Sequence, residues 1–286
     1  VGWIFYPFIY KPIQYLGLIY KSNAPKNKGQ VQGIVVFSVF MVIFMGSTFE
    51  LMEVDLIQPR DFYTARSSAN TFDPENYESE YEGRFFEKPT IELLEQLKQD
   101  DLFADWPLGS TNDKMHNGLE TLQAFLQDWQ ADDFGDVRRD FARLFIGPNR
   151  LPAPPWESVY CNEERLIFDK ETLQVRLLYR QFGMAVPTER NEPDDHFGLE
   201  MMFIAHLCQV ALEGIRSEQP YYTDLSLAAI DSFFKDHVCT WAHDFLADVA
   251  EAANTPYYRG LSLLASGTIA HTMETWQIES NALASS

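Results

Sequence analysis

The sequence is poor in residues that make cross-links and reactive centres. Only three of its 286 residues are cysteine, Cys161, Cys208 and Cys239. The number is odd, no CxxC occurs and no spacing suits zinc, so neither a disulfide framework nor a structural metal is expected. A reducing compartment is the simplest setting for such a chain. Enzyme signatures are missing too. There is no GxSxG, no GxGxxG, no HExxH and no phosphate-binding GxxxxGK, which excludes the common nucleophile, dinucleotide, zinc-hydrolase and phosphate-loop frameworks. Six histidines are scattered, and the nearest pair, His237 and His243, is six residues apart and so falls on different faces of a helix. No catalytic residue, metal ligand or cofactor is expected.

Positive charge is also scarce. With 22 Lys and Arg against 42 Asp and Glu, the net charge is −20 and the pI about 4.6. Such a surface repels phosphate backbones and excludes nucleic acid as a partner, while it suits a cationic peptide. Acid, in turn, is absent from residues 1–49, which carry Lys11, Lys21, Lys26 and Lys28. The same stretch contains Gly33 to Phe49, uncharged and, from Ile34 to Met45, apolar except for Ser38. That run is borderline for a bilayer span, and its lysine flank equally suits a signal-peptide core. Residues 1–20 are aromatic and apolar but broken by Pro7, Lys11 and Pro12, which fits an interfacial segment better than a span.

A chain of this length is sufficient for a full hydrophobic core. Residues 58–80 are polar, with two prolines and no sustained period, and read as a linker. Beyond about Tyr81 the texture becomes helical. Leu119, Leu122, Leu126 and Trp129 recur at three and four residues, as do Val137, Phe141, Leu144 and Phe145. A further stripe, Leu173, Leu177 and Phe182, ends at Gly183, which suits the left-handed close of a helix. Asn191, followed by Glu192, Pro193, Asp194 and Asp195, has the chemistry of a helix start, with the helix expected to run to about Leu212. Leu227, Ile230, Phe234, Val238, Trp241 and Phe245 form another stripe. Asn254 to Pro256 interrupts it before Leu261, Leu264, Thr268 and Trp276 resume. No run alternates as a strand and no long repeat appears, so the expected fold is all-α, a single helical bundle. The expected organisation is residues 1–57 as an apolar N-terminal extension, 58–80 as linker and 81–286 as the helical domain.

Two stretches stand apart. Arg143 to Tyr160 is a helix end followed by Pro148, Pro152, Pro154 and Pro155, which hold Trp156 and Tyr160 with little freedom to lose on binding. It reads either as a peptide-docking wall or as a stiff connector whose tryptophan fills the core. Asn191-Glu-Pro-Asp-Asp-His-Phe-Gly198 places three carboxylates and an imidazole at a helix start. Those carboxylates are suited to paired bonds with guanidinium groups, or to capping alone. A third reading makes Asp195 and His196 the acid/base pair of a helical hydrolase, although no motif supplies a nucleophile.

The two stretches together, in this order, resemble the TorD/DmsD family of redox-enzyme maturation chaperones, and within it the DmsD branch. The matching residues are Arg143-Leu-Phe-Ile-Gly-Pro, Leu151-Pro-Ala-Pro-Pro-Trp-Glu-Ser-Val-Tyr and Asn191-Glu-Pro-Asp-Asp-His-Phe-Gly, supported by Asp105-Trp-Pro-Leu and Thr255-Pro-Tyr-Tyr-Arg-Gly-Leu. The likeness covers about Tyr81 to Trp276. It implies an all-α chaperone without turnover that binds the twin-arginine leader of a molybdopterin-containing oxidoreductase, dimethyl sulfoxide reductase-like, delaying export until cofactor insertion. The matching groove positions are Phe141, Leu144, Phe145, Pro155, Trp156, Asp195 and His196. Ser158 and Tyr160 of the loop, with Glu192 and Asp194 of the acidic stretch, complete the expected site. Leu144, Phe145 and Trp156 are expected to meet the leader's apolar part, and Glu192, Asp194 and Asp195 its arginines. Asn149 departs from the tryptophan that DmsD-like sequences carry after Gly-Pro, and Phe141 is a different aromatic in the preceding helix. Leader preference is expected to differ accordingly.

The resemblance implies a cytoplasmic location, since an unexported leader exists only there. The chain begins at Val1, and Met45 and Met52 are alternative starts, so residues 1 to about 51 are read as upstream sequence. Were they retained, a membrane-tethered member held near the twin-arginine translocase is the alternative. An assembly chaperone for a nitrate reductase is a further reading, disfavoured by the Trp-Glu-Ser-Val loop. The chain is expected as a monomer or a helix-swapped dimer.

Overall fold

The computed structural model describes residues 89–99, 103–104, 106, 108–148, 150–162, 164–186 and 193–276, with short pieces at 52–53, 55–56 and 84–85. The expected linker at 58–80 and the apolar run at 33–49 lie outside the described residues. Helices dominate what is described: α1 Ile91–Gln99, α2 Asp113–Asp128, α3 Phe134–Phe141, α4 Glu157–Cys161, α5 Lys170–Gln181, α6 Phe197–Arg216, α7 Pro220–Phe233, α8 Cys239–Ala252 and α9 Pro256–Trp276. Extended pairing among the described residues amounts to two antiparallel ladders, Met52–Glu53 with Arg84–Phe85 and Asp55–Leu56 with Met184–Ala185, and one bridge. The fold is all-α, as the periodicity predicts.

Local chemistry sets the helix ends. The Asn112 side chain accepts from Met115 N–H at 3.0 Å to open α2 and donates to Gly267 O on α9 at 2.9 Å, so one cap also ties two helices. Asp169 caps α5 through Lys170 N–H, and Gly183 closes it at φ 75°, in the left-handed region that the sequence assigns to it. Pro220 opens α7 at the first-turn position where its missing N–H is not needed. The turn into α9 is held by Asp140, whose Oδ2 accepts from Asn254 N–H, Thr255 N–H and the Thr255 hydroxyl at 2.7–2.9 Å.

Two helices continue through π-helical turns. Ala142–Ile146 prolongs α3, with Gly147 N–H donating to Ala142 O, and Phe234–Val238 joins α7 to α8. The stripe from Ile230 to Phe245 therefore lies on one long rod and is buried at Ile230, Phe234, Val238, Trp241 and Phe245. Helix α9 packs most extensively against α2 and next against α8, while α6 packs on α7. At the α2–α9 crossing a Cβ on Gly118 would stand 2.6 Å from Leu264 N and 2.9 Å from Gly260 O, so the backbones touch there.

Helix α6 is the interior rod, with every residue from Phe197 to Cys208 buried. Its segment Phe197–Ile215, of mean hydropathy 1.3, is long and apolar enough to cross a membrane, and its burial marks it as a core helix. Two expectations need correction. Leu173 and Leu177 do not face the core: they are 58% and 66% exposed, while Val175, Tyr179 and Phe182 turn inward from the opposite face of the same helix. Helix α6 also starts later than Asn191, which lies outside the described residues. Its cap is His196, and the acid in its first turn is Glu200.

Candidate functional site

The proline-rich loop and the acidic stretch, about 40 residues apart in sequence, form one unit. Pro155 O accepts from Phe197 N–H at 2.8 Å, Asp195 O accepts from Glu157 N–H at 3.0 Å, and Trp156 pairs with His196 in an antiparallel bridge. The Trp156 and His196 rings meet edge to face with centroids 6.2 Å apart. Asp195 reinforces this seam with its side chain. One oxygen accepts from Ser158 N–H at 2.8 Å and the other from the Thr172 hydroxyl at 2.7 Å. Asp194 faces α5, where Arg176 Nε and Nη2 reach its Oδ2 at 2.9 and 2.5 Å, and its carbonyl accepts from the Tyr179 hydroxyl at 3.0 Å. Loop, acidic stretch and α5 are thereby locked together.

The candidate residues divide sharply by depth. Phe141, Leu144, Phe145, Pro155, Ser158, Asp194, Asp195 and His196 are buried, whereas Trp156 and Tyr160 are half-buried and reach the surface. Glu192 lies outside the described residues. Phe145 packs on Phe141, Phe245 and Tyr258 at centroid distances of 5.7–6.4 Å, in the middle of an aromatic core. Tyr160 stacks on Trp241 at 5.6 Å, sends its hydroxyl to Asp248 at 2.9 Å and carries the Arg165 guanidinium over its ring at 5.3 Å. Burial, with the Asp248 charge and hydrogen bond adding, pushes the Tyr160 phenol far above its ordinary value.

Beneath the seam lies a buried polar cluster that sequence reasoning passed over. Glu157, 2% exposed, accepts from His237 Nδ1 at 2.9 Å, and the Trp241 indole N–H donates to Glu200 at 3.2 Å. Burial raises the Glu157 carboxyl against the opposing pull of His237. Burial holds Glu200 well above the usual carboxylate range, with the Glu157 and Asp195 charges pushing the same way. Burial also takes His196 down to about 3, so its imidazole is neutral, and Nδ1 accepts from Gly198 N–H at 3.1 Å as the α6 cap. The sequence contained weak signals for this cluster. Glu157 stands inside the proline-rich motif, but His237 is 80 residues away and Arg176 precedes Asp194 by 18, and no local pattern joins them.

These shifts make stability depend on pH in two opposite ways. A carboxyl raised in the fold, as Glu200 is, contributes stability that is present below its unfolded value of 4.5 and lost as pH rises. A histidine lowered from 6.5 to about 3 contributes stability that is present above 6.5 and lost as pH falls. Glu157, also raised, follows the first trend, and His206, also lowered, follows the second. Glu200→Gln, a neutral isostere, removes one contributor to the first trend, so its urea-unfolding stability should fall less than that of wild type as pH rises from 4.5. Parallel profiles would mean that Glu200 is ionised in the fold.

The seam is a structural joint that leaves the Trp156 and Tyr160 rings half-buried at its edge. Asp195 accepts from Ser158 N–H and the Thr172 hydroxyl and His196 Nδ1 accepts from Gly198 N–H, so both side chains are engaged in holding the seam. Among the described residues no group of acids, histidines and cysteines is placed to hold a metal ion.

A helical bundle in which a proline-rich loop is stitched to the start of its interior helix defines a class of binding scaffold, and comparison with known proteins gives the family. Residues 110–247 match the family described as nitrate reductase delta subunit. The chain is 31% identical over 189 residues to a probable Tat proofreading chaperone DmsD of Haemophilus influenzae, covering 66% of this chain and 80% of that protein. It is 30% identical over 190 residues to the Tat proofreading chaperone DmsD of Salmonella typhimurium, with the same coverage. It is 33% identical over 136 residues to a chaperone protein TorD of Vibrio cholerae, covering 48% of this chain and 59% of that protein. The chain belongs to the TorD/DmsD family.

Proposed function

We propose that this protein is a cytoplasmic chaperone that binds the twin-arginine leader of a molybdopterin-containing oxidoreductase precursor, of the dimethyl sulfoxide reductase type, and delays its export until the cofactor is inserted. The observation that carries this reading is the seam between Pro155–Glu157 and Asp195–Phe197, which presents the Trp156 and Tyr160 rings at the surface. Kinship with relatives named as Tat proofreading chaperones supports the leader as ligand. The net charge of −20 favours a cationic partner. The depth of the candidate residues supports a division of roles among them. Trp156 and Tyr160 make contact, Phe141, Leu144, Phe145, Pro155 and Ser158 support them from behind, and Asp194, Asp195 and His196 hold the seam. Glu192 is the acid of this stretch proposed to meet a leader arginine. No chemical turnover is required, and the translocase is a second proposed partner.

Purification of the tagged protein from its own cells tests the reading, because the precursor should copurify and its mass identifies the reductase. A nitrate reductase subunit in its place would move the protein to the other branch of the family. Titration of a synthetic twin-arginine leader gives the residue-level test. Trp156→Ala should weaken binding by roughly 30-fold, about 2 kcal/mol, as aromatic anchors do, in a protein that still unfolds cooperatively. Wild-type affinity in that variant would remove Trp156 from the site.

A further inference from the structure

Resting on the leader-binding reading, a second surface next to Tyr160 accounts for the part of a leader that the buried candidates cannot reach. Phe141 and Leu144 are 1% and 0% exposed, so an apolar ligand does not meet them from outside. Large apolar side chains instead stand in solvent just beyond Tyr160: Leu166, Ile167 and Phe168 at 43–57% exposure, then Leu173 and Leu177 at 58% and 66%. Singly exposed apolar residues are ordinary, but five between Leu166 and Leu177, in one loop and on one face of the helix it leads into, are a concentration that an ordinary surface does not need.

The loop is held in this presentation. Asn162 accepts from Leu166 N–H at 3.0 Å and donates to Leu166 O at 3.2 Å and to Asp169 at 3.1 Å. Arg165 and Phe168 take φ values of 53° and 65°, a region that side-chain-bearing residues seldom adopt. Charge is ordered along the same path. Tyr160 bonds Asp248 and lies in the field of Asp244, and the guanidinium of Arg165 sits on its ring. A carboxylate and aromatic corner that already holds a guanidinium is thus followed by an apolar strip. A leader has the complementary order, a basic segment and then an apolar core of 7–15 residues, roughly 10 to 23 Å long as a helix. Helix α5, with its 12 residues, is roughly 18 Å long at 1.5 Å per residue.

We propose that the leader's apolar core lies against the Leu166–Phe168 loop and the Leu173 and Leu177 face of α5, with its basic end toward Tyr160 and the Asp244 and Asp248 side of α8. Arg165 then occupies, in the free protein, the position that a leader arginine takes.

The full chain carrying Leu173→Gln and Leu177→Gln tests this, with Phe168→Ser as an independent second variant. Both alter exposed side chains, so melting temperatures should match wild type. A complete leader peptide should bind each variant at least tenfold more weakly. A peptide cut before its apolar core should bind wild type and variants alike. Equal affinity of the complete leader for wild type and variants overturns the apolar seat while leaving the leader-binding function intact. Failure of wild type to bind any leader overturns both. A concentration-dependent dimer in sedimentation that the double variant abolishes, with leader affinity unchanged, makes the strip a self-association face and overturns the proposal.

Discussion

Alanine at Asp195 should lower the unfolding free energy by about 3 kcal/mol and weaken leader binding at least tenfold. The carboxylate is fully buried and accepts two bonds of 2.8 and 2.7 Å from donors on different elements, the Ser158 backbone of α4 and the Thr172 hydroxyl of α5. Removing it leaves both donors in the interior without an acceptor, at about 1–3 kcal/mol each before any water enters. Asparagine should cost less, because one carbonyl oxygen survives to take one of the donors. Thr172→Val in the alanine background should recover part of the loss, since it removes one orphaned hydroxyl, and the cycle isolates that bond. Binding suffers because the Asp195 side chain holds Ser158 N–H, two residues beyond Trp156, in the seam that presents that ring. Urea unfolding and leader titration on one preparation read both effects. An Asp195→Ala protein within 0.5 kcal/mol of wild type would mean that the seam stands without this side chain.

A comparable loss of fold stability, with no direct effect on the site, is expected from Gly118→Ala. The added methyl would lie 2.6 Å from Leu264 N and 2.9 Å from Leu264 Cα and Gly260 O, all backbone atoms of α9. Backbone cannot swing away as a side chain can, so the two helices must separate along their crossing. Alanine gains about 1 kcal/mol in intrinsic helix preference, and the separation outweighs it, leaving a net loss of about 3 kcal/mol or roughly 6–12 °C in melting temperature. Gly135→Ala supplies the contrast. There the methyl meets only the Arg139 guanidinium, at 3.2 Å, and a long exposed side chain moves aside easily. That variant should be unchanged or slightly more stable. Equal behaviour of the two variants would mean that the α2–α9 crossing is looser than its geometry implies.

The helices were legible because their inward residues repeat at the helical period, as Leu119, Leu122 and Leu126 do on α2. Period alone does not say which of two apolar faces turns inward. On α5 the leucines at 173 and 177 form the more obvious stripe, yet Val175, Tyr179 and Phe182 hold the core. The start of α6 was misplaced for a related reason. Asn191, Pro193 and two aspartates are good helix-start chemistry, but Asp194 and Asp195 bond Arg176, Ser158 and Thr172 across space, and His196 takes the cap. Proximity of the loop and the acidic stretch was readable from their co-occurrence in a family pattern. The partners that fix them, Thr172, Arg176 and the Glu157–His237 pair, were not, because tertiary hydrogen bonds leave no spacing in the sequence.

The π-helical turns at Ala142–Ile146 and Phe234–Val238 carry a consequence for the way this site tolerates change in length. Each behaves as an α-helix that has accepted one surplus residue. One sets Phe145 against Phe245, and the other sets His237 against Glu157, both beneath the seam. Removing that surplus residue would restore regular winding and leave the faces on either side in register. What would be lost is the widened turn that aims Phe145 or His237, while the helix beyond it keeps its packing. A deletion elsewhere in the same rods has no surplus to draw on and turns one side by about 100° relative to the other, so these two turns are where the count of residues beneath the site can change by one at least cost to the fold.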